Sequence, residues 1–235
     1  MRKGAQTSAQ KGVTMIKEAM KGFMQVFDAS LPLQTRIKEH YSMRGMPWHE
    51  ANIIGVRLAK DFYTNKFQDV LALVTDKTVI ALNATTVPGP HWTPENQKKF
   101  GVYPAIICLG YYPNAYGFTN HKGHPKNMAL GQRVKLPCFR DHSRDSVMQD
   151  IEGPYFEPAS AGMNIHTQMD FSNDDKIDFA SAGCQVARNR ELFLDAFMTA
   201  LHNTAEGKKG AAARFSYFLT DGGFPMAAEL KKLAR

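Results

Sequence analysis

The chain is poor in cysteine, and the cysteines that it has are far apart. Cys108, Cys138 and Cys184 are the three among 235 residues, with no Cys-x-x-Cys pair and no zinc-finger spacing. An odd, scattered set of this kind excludes a disulfide framework and a structural zinc site. Because 43% of the residues are apolar, we expect the chain to fold around an ordinary hydrophobic core.

Long hydrophobic runs are also missing. No stretch approaches the roughly 20 apolar residues that span a bilayer. The first residues carry positive charge, but no uninterrupted apolar segment follows them, so they do not predict a secretory signal. We therefore expect synthesis in the cytoplasm without a Sec-type signal, and no stable membrane span. The chain also lacks internal repeats and low-complexity linkers.

Positive charge is abundant but is not concentrated in one segment. The formal net charge is +7 and the isoelectric point is near 9.3, so the surface attracts anions such as nucleic acid, anionic lipid or the bacterial wall. The Lys and Arg residues are scattered and no nucleic-acid fold signature is present. We expect no nucleic-acid partner, and at most weak contact with an anionic surface.

Apolar periodicity predicts an α+β fold that is predominantly β. Apolar residues at helical spacing predict helices over residues 12–29, 34–43, 188–202 and 225–235. Short β-branched runs predict strands over residues 53–58, 70–74, 78–82, 105–109, 134–140 and 214–220. The second and third of these are expected to form a β-hairpin, and Pro137 predicts an edge or a bulge for its strand. Asn189 is expected to cap the helix over residues 188–202. We predict an N-terminal helical extension over residues 1–50 and a second domain over residues 51–235.

Two short segments carry the chemistry. Residues 162–166 read Gly-Met-Asn-Ile-His, which predicts a strand ending in His166, and residues 181–184 read Ser-Ala-Gly-Cys, which predicts a tight turn presenting Cys184. A histidine that takes the thiol proton produces the reactive thiolate. The backbone N–H groups around Gly183 and Cys184 are candidate oxyanion donors. The alternative is an inert, packed Cys184 beside a hydrogen-bonded strand histidine.

The order of these residues resembles that of a known family. A histidine followed eighteen positions later by the cysteine of Ser-x-Gly-Cys is similar to the signature of YkuD-type L,D-transpeptidase catalytic domains, which act on peptidoglycan stem peptides. The resemblance covers roughly residues 162–188. It implies a β-sandwich or barrel core with flanking helices, with Cys184, His166, Ser181 and Gly183 as catalytic residues and no cofactor.

The chain departs from the family pattern at three positions. Thr167 stands where the family has Gly, Ala182 where it has His, and Val186 where it has Arg or Asn. The resemblance implies that Arg188 replaces the missing cation and binds a substrate carboxylate. These differences favour thiol chemistry on murein without choosing between transpeptidation and hydrolysis.

Other residues are candidates for substrate binding. Asn164 lies two positions before His166 and so shares its face of a strand. Residues 110–131 combine Tyr116 and His121 with Pro, Gly and Asn, which is typical of a loop that binds an extended peptide or glycan. Arg140 opens a polar turn and is a second candidate for a carboxylate. Each of them has an ordinary structural alternative as well.

Metal binding is not expected. His121 and His124 are three apart, but no acidic or Cys residue close to them in sequence completes a ligand set. The acidic residues 170–178 do not match an EF-hand, because its Gly and terminal Glu are absent. We interpret them as a solvated loop beside the His and Cys segments.

Three functions fit the sequence. The first is a cysteine enzyme of the L,D-transpeptidase type acting on murein, which would reach the wall after phage-type release through a membrane lesion or after injection as an effector. The second is a papain-like peptidase, in which the cysteine precedes the histidine, contrary to this chain. The third is a non-enzymatic wall-binding or virion protein that retains the fold.

Overall fold

Extended segments dominate the part of the chain that the computed structural model describes. The described residues are 30–59, 64–101, 103–121, 128–140, 155–157, 162–168 and 176–235. The chain divides after Pro32, and residues 33–235 form one unit. The helix expected over residues 12–29 lies outside the described residues. The helix over residues 33–43, which we expected in the N-terminal extension, lies within the unit of residues 33–235.

Eleven strands are present among the described residues. They are β1 (Asn52–Arg57), β2 (Asp69–Val74), β3 (Val79–Thr85), β4 (Ala105–Ile107), β5 (Gly110–Asn120), β6 (Met128–Gln132), β7 (Leu136–Arg140), β8 (Tyr155–Glu157), β9 (Ile165–Thr167), β10 (Gln185–Ala187) and β11 (Phe215–Asp221). The predicted α+β class with a majority of strands is confirmed.

Eight of these strands close into a barrel in the order β1-β11-β5-β6-β9-β10-β3-β2. The hairpin predicted from two apolar runs is confirmed as β2 and β3, which pair from Asp69↔Ala84 to Val74↔Val79. Two neighbouring pairs are parallel, β1 with β11 and β9 with β10. Strand β9 carries His166, and strand β10 follows directly after the turn that contains Cys184.

A smaller sheet has the order β4-β7-β8. Pro137 predicted that its strand lies at an edge or a bulge, and this is wrong, because β7 lies in the middle of the three strands. Proline lacks an N–H, but the Pro137 carbonyl still accepts the Cys108 N–H at 2.9 Å. Cys138, rather than Cys108, is the fully buried thiol of this sheet.

The loop expected over residues 110–131 is also wrong. The structure has the long strand β5 there, followed by β6. Asn114 adopts a positive φ of 54°, and the β5–β11 register shifts between Phe215 and Tyr217. Gly117 lies so close to the Ala213 carbonyl that an added Cβ would stand 2.6 Å from it. The turn-forming residues thus form an irregular strand.

The core fills the barrel and also includes buried side chains from the helical residues 192–201. Its fully buried members include Ile53, Leu71, Leu82, Ile165, Phe193 and Tyr217. Gly55 leaves room for Tyr217, since a Cβ there would stand 2.0 Å from the Tyr217 hydroxyl. The interior of the barrel is therefore a packed core.

Helices cover the outside. They are α1 (Leu33–Met43), α2 (Pro94–Phe100), a π-helical segment (Leu192–Met198) that continues into α3 (Thr199–His202), a 3-10 segment (Gly207–Ala212) and α4 (Ala227–Leu233). Arg36 of α1 forms an ion pair with Glu229 of α4. Asn189 caps the helical turn that begins at Arg190 and leads into the π-helical segment, as predicted, its side chain accepting the Leu192 N–H at 2.9 Å. None of the helices in the described ranges has the length and apolarity that crossing a membrane requires.

Candidate active site

The histidine and the cysteine lie on neighbouring strands. His166 is the central residue of β9, and Cys184 immediately precedes β10. The two strands are parallel, with His166 opposite Val186. The ladder extends one residue upstream, where the Gln185 N–H donates to the Asn164 carbonyl at 2.8 Å. Strand pairing therefore brings together His166 and Cys184, which are eighteen positions apart in sequence.

Side-chain alternation places the candidate residues on one face. Asn164 and His166 are two apart on one strand, and Cys184 and Val186 are two apart on the other. Cys184 and Val186 pack in the same apolar cluster with Phe67. From strand spacing and rise, the Cα atoms of His166 and Cys184 are about 8 Å apart on the diagonal. This is a separation that an imidazole and a thiol can bridge.

The imidazole of His166 has a defined tautomer. Its Nδ1 lies 2.6 Å from the Thr167 carbonyl oxygen. A carbonyl only accepts, so Nδ1 carries the proton and Nε2 is the basic nitrogen. The ring is nearly buried, with 3% of the residue exposed. The Thr167 carbonyl thus fixes both the tautomer and the orientation of the imidazole.

A second imidazole covers the first. His121 follows the end of β5, and its ring stacks on His166 with centroids 3.9 Å apart and planes 25° from parallel. The His121 Nδ1 atom lies 3.3 Å from the Asn164 side-chain nitrogen. The Asn164 oxygen accepts the Gln132 N–H at 3.1 Å. His121, Asn164 and His166 therefore form one contiguous polar group on this face.

The thiol is half-buried. Cys184 Sγ donates to the Gly162 carbonyl at 3.4 Å. The same carbonyl accepts the Asn164 N–H at 2.9 Å, which makes the chain turn tightly just before β9. The thiol therefore contacts the residues that lead into β9, the strand of His166.

The Ser-Ala-Gly turn is held by its own side chain. Ser181 is fully buried, and its hydroxyl donates to the Cys184 carbonyl at 2.8 Å and accepts the Gly183 N–H at 3.2 Å. Gly183 has a φ of 139°, and an added Cβ would stand 2.9 Å from the Ala105 carbonyl. Ala105 of β4 also donates its N–H to Ala182 at 2.9 Å. Ser181 and Gly183 therefore both determine the shape of the turn that precedes β10.

Some of the backbone N–H groups that were expected to be oxyanion donors already form hydrogen bonds within the protein. The Gly183 N–H donates to Ser181, and the Gln185 N–H donates to Asn164. The expectation that the N–H groups around Gly183 and Cys184 face the substrate is therefore wrong for Gly183. It is wrong for the N–H of Gln185 on the other side of the thiol as well.

Gln185 supports the turn from inside the barrel. Its side chain donates to the Gly183 carbonyl at 3.3 Å and accepts the Tyr217 hydroxyl at 3.0 Å. Burial raises the pKa of Tyr217 above its usual value, so the hydroxyl remains a donor. Sequence reasoning missed Gln185, because only its position directly after the cysteine marks it.

Tyr116 and Arg188 are not placed as expected. Tyr116 is 0% exposed in the barrel core, and its hydroxyl donates to the Met163 carbonyl at 3.1 Å. A ring in this position is not on a surface that substrate reaches. Arg188 follows β10 at the end opposite Cys184, about 13 Å along the strand. Residues 185–187 are extended, so no turn after Cys184 brings the Arg188 side chain back toward the thiol.

Arg140 lies nearer to the thiol turn. It pairs with Ala105 across β4 and β7, and Ala105 is the residue that contacts Gly183. Its guanidinium donates to the Tyr103 carbonyl at 2.5 Å. Of the two arginines expected to bind a carboxylate, the fold therefore places Arg140 beside the turn.

Most of the acidic stretch at 170–178 lies outside the described residues. Asp178 is described, and it lies half-buried in a turn. Its carboxylate accepts the Asn65 amide at 2.8 Å and its N–H donates to the same side chain at 2.7 Å. These two bonds hold Asp178 against the segment that contains Asn65.

Exposed aromatic rings adjoin the turn. Phe100 and Phe179 are each 54% exposed, and His91 lies between them, with centroids 6.5 and 5.7 Å from theirs. The segment that leads to His91 is bonded to the turn at residues 181–184, because the Gly89 N–H donates to the Ser181 carbonyl at 2.9 Å. We call His91, Trp92, Phe100 and Phe179 the aromatic patch. Sequence periodicity did not reveal it, since its members come from two separate segments.

Over the described ranges, no group of three His, Cys, Asp or Glu residues is arranged to hold a metal ion. Comparison of the chain with protein-family models, with curated proteins and with solved structures finds no match. The function is therefore inferred from the fold and from the geometry of the β9–β10 face.

Proposed function

We propose that the chain is a cysteine enzyme that acts on the amide bonds of peptidoglycan stem peptides, and that its barrel is a divergent L,D-transpeptidase-like core. The observation that carries the proposal is the parallel pairing of β9 with β10. It places His166 opposite Val186, two residues after Cys184, so that the imidazole and the thiol lie on the same face of the paired strands. Such a pair, with the histidine oriented by a backbone carbonyl, suits nucleophilic catalysis.

The chemistry follows from the tautomer. Nε2 of His166 takes the proton of the Cys184 thiol, and the sulfur forms a bond to the carbonyl carbon of the amide. The tetrahedral intermediate collapses with cleavage of the C–N bond, and His166 returns the proton to the leaving amine. Attack of water on the thioester gives hydrolysis, and attack of an amine gives transpeptidation.

The substrate class is supported by the surroundings of the turn. Stem peptides carry carboxylates, and Arg140 lies next to the turn through Ala105. The aromatic patch offers exposed rings for the apolar faces of sugars or peptides. The net charge of +7 favours association with an anionic wall. These features complement the sequence resemblance.

The second candidate is a wall-binding or virion protein without catalysis. The feature that favours it is the hydrogen bond of the thiol to Gly162, which describes a protonated sulfur at rest. In this case the aromatic patch and the basic surface would act alone. The two candidates differ in whether Cys184 is chemically required.

The test is incubation of purified sacculi with wild-type protein and with Cys184→Ala, followed by mass analysis of the released muropeptides. We expect new products with the wild type and none with the variant. Cys108→Ala is the matched control, because this partly buried thiol follows β4 and is not part of the β9–β10 face. Identical product profiles from wild type and Cys184→Ala would refute the catalytic proposal and leave wall binding.

A further inference from the structure

The hydrogen bonds of Asn164 define the charge of His121. The Gln132 N–H is a backbone donor, so the Asn164 atom that it meets is the amide oxygen. The other end of the amide, which faces His121 Nδ1 at 3.3 Å, is then the nitrogen. An amide nitrogen only donates, so Nδ1 of His121 carries no proton. An imidazole with a bare Nδ1 is neutral and holds its proton on Nε2.

A neutral His121 matters because of what it covers. Its ring lies on that of His166, with centroids 3.9 Å apart. In the proposed reaction His166 becomes positively charged when it takes the thiol proton. The face of a neutral aromatic ring attracts a cation, whereas a second imidazolium at this distance would repel it.

We propose that His121 is a positioning residue, held neutral by Asn164, that stabilises the charged state of His166 and thereby the Cys184 thiolate. The inference rests on the proposed function. It assigns to His121 and Asn164 an effect on the charge of the pair in place of direct contact with substrate. Asn164 has both ends of its amide engaged, in agreement with this role.

Other titratable groups face this cluster from the neighbouring elements. Cys184 enters from the start of β10, and Tyr116 of β5 lies behind it in the barrel. Burial raises the pKa of Tyr116 well above its usual value, so Tyr116 stays neutral. Among the described groups named here, the charge changes in the proposed reaction are therefore those of the Cys184 thiol and the His166 imidazole.

The first test measures the alkylation rate of Cys184 by iodoacetamide against pH, by peptide mapping, in four proteins. These are the wild type, His121→Ala, His121→Phe and His121→Arg. We expect His121→Ala to be about tenfold slower near neutral pH, because the face that stabilises the cation is lost. His121→Phe restores most of the rate, and His121→Arg does not, since it places a cation on His166.

The Phe and Arg variants both fill the position, so a purely structural role predicts equal rates for them. Equal rates in His121→Phe and His121→Arg, or an unchanged rate in His121→Ala, would overturn the inference. Cys108 is the internal reference, because its reactivity is expected to be the same in all four proteins. If His121→Ala fails to fold, the comparison of Phe with Arg still decides.

The second test reads the tautomer of His121 directly. In Cys184→Ala protein labelled with nitrogen-15, we expect His121 to be neutral with its proton on Nε2. Asn164→Asp replaces the donor with an acceptor and should move a proton to Nδ1. Asn189→Asp adds the same charge at an exposed position and should change nothing. A proton on Nδ1 of His121 in protein with Asn164 intact would overturn the inference.

Failure of the inference and failure of the proposed function are distinguishable. Sacculi left intact, together with the expected order of alkylation rates, would remove the murein substrate and keep the role of His121. Sacculi that are cut, together with equal rates in the Phe and Arg variants, would remove the role of His121 and keep the enzyme.

Discussion

At the scale of single residues, the sequence singled out His166 and Cys184 as candidates but not the groups that contact and orient them. His166 and Cys184 stand out in the sequence because an imidazole can act as a base, a thiolate is a nucleophile, and small residues precede the cysteine. Thr167, Gln132 and Gln185 act through a backbone carbonyl, a backbone N–H and a buried amide. Such roles arise from contacts made only after folding, and no sequence pattern encodes them.

The Ser181 hydroxyl bridges both sides of the cysteine turn. Replacing Ser181 with Ala leaves the Gly183 N–H and the Cys184 carbonyl without this partner, and we expect the free energy of unfolding to fall by about 1–3 kcal/mol. Denaturant unfolding measures the change. Ser42→Ala, at an exposed site of α1, is the control and should have little effect. Equal stability of the two variants would show that the turn does not depend on the hydroxyl.

His40 makes stability depend on pH. Burial lowers the pKa of His40 from 6.5 to about 4, with a smaller contribution from Arg44. Between these values the unfolded chain binds more protons than the folded one, so stability is complete above about pH 6.5 and is lost as pH falls toward 4. We expect a slope of at most about 1.4 kcal/mol per pH unit.

The variant His40→Phe should flatten this dependence, because phenylalanine does not titrate and can pack against Phe218 and Phe224 as His40 does. Thermal unfolding between pH 4 and pH 7 gives the measurement. A slope that stays the same in His40→Phe would assign the dependence to another group.

At the scale of elements, local patterns predicted the regular strands and failed at the irregular ones. The hairpin of β2 and β3 and the cap at Asn189 were predicted from spacing and side-chain chemistry. Strand β5 was missed because Pro113, Asn114 and Gly117 are turn formers in isolation. Pairing with β11 on one side and β6 on the other overrides that preference.

The aromatic patch is predicted to bind the wall. Phe100→Ser and Phe179→Ser remove exposed rings, so we expect weaker sedimentation with sacculi, by about threefold or more for the double variant. The alkylation rate of Cys184 should be unaffected. Leu233→Ser, which alters another exposed apolar residue on α4, is the matched control. Unaltered sedimentation of the double variant would exclude the patch as a binding surface.

At the scale of the whole molecule, the closure of the barrel could not be predicted. It depends on β1 pairing in parallel with β11, where Ile53 lies opposite Tyr217. Hydrophobic periodicity describes each strand separately and contains no information on partners so far apart in sequence. The resemblance implied a β-sandwich or barrel core without choosing between the two, and neither it nor the periodicity gave the strand order of the closed barrel.

The most direct test of the account is the pH dependence of Cys184 alkylation in wild type and in His166→Gln. The account predicts that wild-type Cys184 reacts as a thiolate well below pH 8.5, the ordinary value for a free cysteine, and that His166→Gln returns it to about that value. Cys108, whose pKa is raised by burial, serves as the unactivated thiol in the same protein. A wild-type profile centred near pH 8.5 and unchanged in His166→Gln would contradict the account.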